Sequence, residues 1–250
     1  MKISFCIPSF NSVTWLPHAC SSVLQQTHKD IELVVVDDGS TDRTQEYTNW
    51  LRKSDERVQV VHNGKNLGRS ESRNIGNRAA SGDVICVLDA DDLTTPNRAE
   101  LTARKFAKGG AEYVYGSATV IDVLGRPSHI LQADVLDKAK CFDEAKNPRL
   151  ENRIVHSTVA YTKDFANRFK YRDGELAKLG LDDWAMQAEA IAAGVKFDFI
   201  PQRLACYRQL DSQVTKTRDQ NAVMAAKRGF LAGLGLTASH LDSTRVGAAL

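Results

Sequence analysis

Carboxylates cluster where an apolar run stops: Val84-Ile85-Cys86-Val87-Leu88 is followed directly by Asp89-Ala90-Asp91-Asp92. A continuous β-prone run reads as a strand buried on both faces, and such a strand has no structural use for like charges massed at its carboxyl end. The cluster must face something cationic. A hard divalent ion, Mg²⁺ or Mn²⁺, suits oxygen ligands and commonly keeps positions open for water and substrate phosphates, which points to chemistry on a phosphorylated substrate. The competing reading is a solvated acidic turn that caps the next helix, since Asp favours turns and helix starts.

The elements needed to position these carboxylates alternate over the first hundred residues. A strand over 3–7 ends at Pro8, and Trp15, Leu16, Ala19, Val23 and Leu24 recur with helical spacing. A second strand over 31–36 is stopped by Asp37-Asp38-Gly39-Ser40, and Ser40 or Thr41 can cap a helix running to about residue 53, with Asp42 near its positive end. A third strand over 58–61, the Gly-containing loop 63–68, a helix over 70–80 and the turn Ser81-Gly82-Asp83 lead to the strand before Asp89. Repeated β-α units imply a mainly parallel sheet with right-handed crossovers, in which ligands bind beyond the carboxyl ends of the strands. Pro8-Ser9, Asp37-Asp38 and Asp89-Ala90-Asp91-Asp92 then converge on one rim, as a nucleotide site requires.

From roughly residue 96 the alternation weakens. A helix is expected over 99–108, a strand pair or extended segment over 113–123, and a polar lid, binding loop or linker over 125–153. Strand character returns over 154–161. Asp182-Asp183-Trp184 opens a helix with Trp184, Ala185, Ala188, Ile191 and Ala192 on one face and Gly194 at its end. A last strand over 195–200 and an Ala-rich helix over 222–234 follow, and 237–250 are expected to be weakly ordered.

With 250 residues, 42% hydrophobic and 26% charged, the chain has the composition of a globular protein able to bury a substantial core. A net charge of +2 gives no sign of a polycationic nucleic-acid binder. The apolar stretch at the amino terminus is too short for a signal peptide and no run of 18 apolar residues occurs, so the expected location is cytoplasmic, with peripheral association at the inner face of a membrane left open. The five cysteines are scattered, without a C-x-x-C pair, and suggest neither a zinc site nor a disulfide framework.

Taken in order, Ile7-Pro8-Ser9-Phe10-Asn11, Ser22-Val23-Leu24-Gln25-Gln26-Thr27, Val35-Val36-Asp37-Asp38-Gly39-Ser40-Thr41-Asp42, Asn66-Leu67-Gly68 with Arg73-Asn74, and Leu88-Asp89-Ala90-Asp91-Asp92 resemble the family 2 glycosyltransferases. The likeness is dense over 3–100 and weaker to about 215. It implies a single α/β domain of the GT-A, Rossmann-like fold, with a mainly parallel central sheet flanked by helices. Residues 1–100 would be the nucleotide-sugar half, 101–210 the acceptor half and 211–250 a helical, partly mobile extension. It also implies transfer of a sugar, with inversion, from a nucleotide-diphosphate sugar (a UDP-sugar is favoured) to an acceptor hydroxyl in glycan or polysaccharide synthesis. The acceptor would be a glycan, a lipid-linked intermediate or a small molecule.

By that resemblance Pro8 and Ser9 lie against the nucleotide, Asp38 meets its base or ribose, and Arg73 approaches the base or diphosphate. Asp89, with Ala90 beside it, serves the ribose or the hydration shell of the ion, and Asp91 ligates Mn²⁺ or Mg²⁺. A carboxylate can accept hydrogen bonds from ribose hydroxyls, and a divalent ion neutralises charge growing on a departing diphosphate. Asp92 is read as a turn or capping residue. Asp182-Asp183 looks like the family's acidic pair, with Asp183 as the general base and Asp182 as helix cap, and Arg208 in Leu204-Ala205-Cys206-Tyr207-Arg208 meets the diphosphate. Leu210 stands where many relatives have His, so a further metal ligand there is not expected, and Ser72 replaces a common Ala. His156 could contact acceptor or diphosphate, although a lone His is more often structural. The alternative from another class is a non-catalytic nucleotide-sugar-binding module, which would need Asp38 and Asp91 but no base at Asp183. A nucleotidyltransferase would want a Gly-rich basic loop after the first strand, which Pro8-Ser9-Phe10-Asn11 does not supply.

Overall fold

A computed structural model of the chain describes residues 1–137, 141, 142, 147, 150, 154–210 and 218–236. The expectations for the rest of 125–153 and for 237–250 lie outside these residues. The first half runs β1 (Ile3–Ser9), α1 (Leu16–Leu24), β2 (Ile31–Asp37), α2 (Thr44–Ser54), β3 (Val58–His62), α3 (Arg69–Ala79) and β4 (Val84–Val87). The second half runs β5 (Leu93–Thr94), α4 (Arg98–Ala107), β6 (Tyr113–Ile121), β7 (Pro127–Leu131), a 3₁₀ turn (His156–Thr158), β8 (Ala160–Thr162), α5 (Lys163–Arg168), α6 (Glu175–Lys178), α7 (Asp182–Ala192), β9 (Phe197–Arg208) and α8 (Gln220–Gly233).

One sheet carries the strands in the order β3-β2-β1-β4-β8-β6-β9-β5, with β7 paired to β6. Pairing is parallel across β3, β2, β1 and β4, and again between β6 and β9; β8 joins the two parts by antiparallel pairs to β4 and β6. Both faces are covered, which is why β4 is a continuous apolar run and β1 and β2 are mostly apolar. Ile3, Phe5 and Ile7 belong to the core layer that also holds Leu16, Ala19 and Val23 of α1. Cys6 faces the opposite layer with Val34, Val36 and Val87. There α3 lies close to the sheet: a Cβ built on Gly76 would sit 3.4 Å from Cys6 Cβ.

Pro8 does not end its strand. It lies within β1, opposite Val36 of β2, where the pairing with β4 has already stopped at Cys6 opposite Val87. A residue without an N–H is tolerated at such a place. The helix after β2 begins later than expected, because Ser40 and Thr41 are used elsewhere: Ser40 Oγ accepts from Asn11 N (2.9 Å) and Thr41 N donates to Asn11 Oδ1 (2.8 Å). Asp42 instead accepts from Thr44 N at 2.9 Å. Segment 154–161 is a 3₁₀ turn followed by the short β8 rather than a strand throughout, and the last strand extends from Phe197 to Arg208. Helix α8 spends Val223 and Leu231 against Trp184, Ala188 and Ile191 of α7. Among the described residues no helix is long and apolar enough to cross a membrane.

Gly39 shows how tightly the rim is folded. Its φ is +73°, and an added Cβ would lie 2.7 Å from the Lys65 carbonyl carbon and 2.9 Å from Asn66 N. Gly39→Ala therefore combines left-handed strain with a backbone collision and should cost about 1–3 kcal/mol. A lower denaturation midpoint at unchanged m-value is the expected result.

Candidate active site

The carboxyl ends of β1, β2 and β4 open into a cleft of about 1210 Å³. Pro8, Ser9, Asp38, Arg73, Asp89, Ala90, Asp91 and Asp183 all line it, together with Asp182 and His156. Sequence segments more than ninety residues apart thus meet at one place, as the parallel sheet requires.

Each member is held by specific partners. Ser9 Oγ is buried and has no hydrogen-bond partner among the described residues. Asp38 is 3% exposed and accepts from Asn63 Nδ2 (2.7 Å), Leu67 N (2.9 Å) and Gly68 N (2.9 Å). These bonds tie loop 63–68 to the β2 rim and use most of a carboxylate's roughly four acceptor positions. Asn11, in a left-handed conformation at φ 49°, straps the other side of the same turn through Thr41 and Ser40.

Arg73 is the hub of the charged wall. Nη2 donates to Asp89 Oδ1 at 2.7 Å, Nη1 donates to Asp182 Oδ2 at 2.6 Å, and the guanidinium lies 5.3 Å from the centroid of the Tyr171 ring. Arg69 adds a bond to Asp182 Oδ1 at 2.8 Å. Burial alone would lift the Asp89 carboxyl, but the Arg73 charge and the Arg73 hydrogen bond outweigh it and hold Asp89 below its ordinary value. Asp182 is likewise depressed: burial opposes ionisation, and Arg73 and Arg69 prevail. Arg73 itself is pushed up despite burial, by the facing Asp89 and Asp182 carboxylates.

This wiring revises several expected roles. Asp182 is not a helix cap: its carboxylate is 1% exposed and committed to two arginines. Arg73 borders the cleft, but its two Nη atoms are engaged by acids, so it shapes the wall rather than reaching freely for a diphosphate. Arg208 lies beneath the site instead of lining it. Its Nε donates to Asp91 O (2.8 Å), its Nη1 to Asp122 O (2.9 Å), and its guanidinium stacks 4.4 Å from the Trp15 ring centroid. Tyr207 and Leu210, on either side, do reach the cleft. Asp92 is buried and accepts from Arg208 N at 2.7 Å, which anchors the end of β9 rather than a helix. Burial, with Asp91 and Asp89 adding repulsion, pushes its carboxyl well up.

Asp183 occupies the first turn of α7, where the helix dipole favours a negative charge. It is 27% exposed, and its Oδ2 lies 3.8 Å from His156 Nδ1. His156 is 8% exposed and its Nε2 meets the Tyr171 hydroxyl at 3.1 Å. Neither His156, Tyr171 nor Arg69 carries a positional signal strong enough to be assigned from the chain. Tyr171 arrives because Asn74 of α3 clasps its backbone in both directions, at 3.0 Å each.

Solved structures share this architecture. S. aureus TarS in complex with UDP-GlcNAc superimposes with a TM-score of 0.72 at 17% identity, over 97% of this chain and 70% of that one. The mannosyltransferase PcManGT of Pyrobaculum calidifontis, in complex with GDP-Man and Mn²⁺, does so with a TM-score of 0.64 at 13% identity, over 100% and 76%. The fold is thus the mixed α/β GT-A fold. A model of "Glycosyl transferase family 2" matches residues 4–168, and the chain belongs to that family. Named relatives include the glycosyltransferase GlyG of Streptococcus pneumoniae, 25% identical over 86% of this chain and 73% of GlyG. The succinoglycan biosynthesis protein ExoO of Rhizobium meliloti is 27% identical over 92% of this chain and 68% of ExoO. An uncharacterized glycosyltransferase of Rickettsia bellii is 36% identical over 50% of this chain, which covers only 18% of that protein.

The ion pairs of Arg73 dictate an inverted pH response on mutation. In the wild type, Asp89 and Asp182 have depressed folded values, so their contribution to stability is present above the ordinary carboxylate value of 3.8 and is lost as pH falls below it. Arg73→Met takes the counter-ion from the partly exposed Asp89 and leaves buried Asp182 with Arg69 alone, and should cost about 3 kcal/mol at neutral pH. That deficit should shrink on acidification as Asp89 and Asp182, each short of one cation, take up protons, a trend that denaturant titrations at neutral and mildly acidic pH will read.

Proposed function

We propose that this chain is a catalytically active glycosyltransferase that moves a sugar from a nucleotide-diphosphate sugar, a UDP-sugar by preference, to an acceptor hydroxyl with inversion. The observation that carries this reading is the shared cleft of Asp91 at the β4 rim and Asp183 at the start of α7, an acidic ligand and a cleft-facing base within one cavity. Support for the donor class comes from neighbours of the same fold, one holding UDP-GlcNAc and another GDP-Man with Mn²⁺. ExoO, by its name a succinoglycan biosynthesis protein, supports a role in polysaccharide synthesis.

In this reading the nucleotide lies across Pro8, Ser9 and Asp38, where the unpartnered Ser9 hydroxyl and the remaining acceptor capacity of Asp38 face it. Asp89 and Ala90 border the ribose side, with Asp89 held in place by Arg73. Among the described residues no group of three or more His, Cys, Asp or Glu side chains could by itself enclose an ion. That donor set still suits Mn²⁺ or Mg²⁺, which are commonly held by one or two carboxylates with substrate phosphates and water completing the shell. Asp91 is the residue that would hold it. Such an ion would supply neutralisation of charge on the leaving diphosphate. Asp183 takes the proton of the acceptor hydroxyl as that oxygen attacks the anomeric carbon. The acceptor, a glycan, lipid-linked intermediate or small molecule, enters along Ile130, Leu131, Ile154 and Val155, contributed by residues 101–210. A module that only binds nucleotide sugar would have no use for Asp183 in this position.

Asp91→Ala should abolish Mn²⁺-dependent release of nucleotide diphosphate from a panel of UDP-GlcNAc and GDP-Man. Asp183→Asn should keep the Mn²⁺-dependent thermal stabilisation by the matching nucleotide diphosphate, while turnover drops by roughly 10²-fold or more. Full activity in either variant removes that residue from its role.

A further inference from the structure

A buried chain of hydrogen bonds runs from Asn77 through Tyr161 and Tyr171 to His156 and stops short of Asp183. The Tyr161 hydroxyl donates to Asn77 Oδ1 at 2.9 Å. A phenol carries one proton, so in the 3.1 Å contact between the Tyr161 and Tyr171 hydroxyls the donor is Tyr171. Tyr171 has then spent its proton, and in its 3.1 Å contact with His156 Nε2 the imidazole N–H must donate. In a neutral imidazole this leaves Nδ1 as a bare lone pair. Nδ1 is buried with no hydrogen-bond partner, and Asp183 Oδ2 faces it at 3.8 Å. Two acceptors confront each other, with a place for a proton that neither holds at rest.

We infer that His156 is the second proton acceptor of the site, receiving through Asp183 the proton that leaves the acceptor hydroxyl; this rests on the reading of Asp183 as the base. As the acceptor oxygen bonds to the anomeric carbon, the bond from that carbon to the diphosphate oxygen breaks and the diphosphate departs with the electron pair. The hydroxyl proton goes to Asp183 Oδ2. It then moves to His156 Nδ1, which restores the carboxylate and forms an imidazolium. That imidazolium donates from Nε2 to Tyr171 and from Nδ1 to Asp183, so both nitrogens are satisfied. A modest rotation of the partly exposed Asp183 side chain closes the 3.8 Å gap to hydrogen-bond length.

The surroundings keep His156 ready to accept. Burial and the Arg73 charge on α3 hold its pKa below the ordinary histidine value, against Asp183 and Asp182 on α7 and Asp89 after β4, which act in the opposite sense. Among the described residues, Tyr171, before α6, is the further titratable group in contact with it. The polarity of the relay is set by Asn77. With its amide reversed, an N–H would point at Tyr161, every donor along the chain would invert, and His156 would present Nδ1–H to Asp183 as a fixed orienting group.

Nitrogen chemical shifts of ¹⁵N-labelled protein, with the His156 signals identified by their loss in His156→Gln, decide between the two polarities without any substrate. The expected result is protonated Nε2 and bare Nδ1 at neutral pH, a preference that weakens in Tyr171→Phe. Protonated Nδ1 overturns the proposal. In turnover of UDP-GlcNAc or GDP-Man with water as acceptor, His156→Gln retains an N–H near Tyr171 but lacks the second acceptor. Its kcat should fall by roughly 10²-fold with the donor KM unchanged. The acid limb of its kcat–pH profile should also move to lower pH, because the requirement for a neutral imidazole is gone. Wild-type kcat in His156→Gln overturns the relay while leaving Asp183 as base. Wild-type kcat in Asp183→Asn sinks the base assignment itself.

Discussion

The interaction on which the site depends is the pair of bonds that Arg73 makes to Asp89 and Asp182. One acid stands at the end of a strand of the first half of the chain, the other at the start of a helix of the second half, and the guanidinium between them is 6% exposed. A planar fork with opposed donors can hold two carboxylates at fixed separation, which an ammonium on a flexible stem could not do as well. The desolvation of these charges makes the arrangement an expensive one. Its return is geometric: Asp183 follows Asp182 in sequence, so fixing Asp182 places the candidate base.

The acidic residues of the rim fall into two groups by what they touch. Asp38, Asp92 and Asp182 are almost fully buried; Asp38 spends its oxygens on loop amides, Asp182 on arginines, and Asp92 gives Oδ1 to a strand-end amide. Asp91 and Asp183 are only half-buried, in the cleft that Asp38, Asp89 and Asp182 also line. Electrostatic catalysis needs such a division, because a charged group aimed at a substrate is useful only when its neighbours prevent it from collapsing onto the wall. Arg208 and Arg98 perform similar structural service from below. Arg98 is fully buried and donates to the carbonyls of Val87, Ser157 and Val159, which locks the end of β4 to the turn that carries His156.

Much of the fold was legible from the chain because the first half obeys local rules. Apolar runs such as Leu33 to Val36 and Val84 to Leu88 and helical spacing from Leu16 to Val23 imply strands and helices packed in alternating layers, and the observed β1, α1, β2 and β4 follow. Boundaries were less legible where side chains found distant partners. Ser40 and Thr41 have the chemistry of helix caps, but Asn11 engages both, and α2 starts only at Thr44. Segment 154–161 has strand composition, yet Arg98 grips its carbonyls and a 3₁₀ turn forms.

For the site, the amino-acid sequence by itself determined which chemistry was present: carboxylates ending an apolar strand, a polar rim after β1 and β2, and an acidic pair opening a late helix. These are local patterns, set by residue type and spacing. What only the tertiary structure decided is which of those groups is buried against the protein itself. Asp182 and Asp183 are indistinguishable as neighbours in a chain, and so are Asp91 and Asp92. Their roles separate once one of each pair is buried against a partner brought from more than a hundred residues away, Asp182 against Arg73 and Asp92 against Arg208. The physical reason is that burial with a matched partner depends on contacts between distant segments, and those contacts exist only after the sheet has assembled.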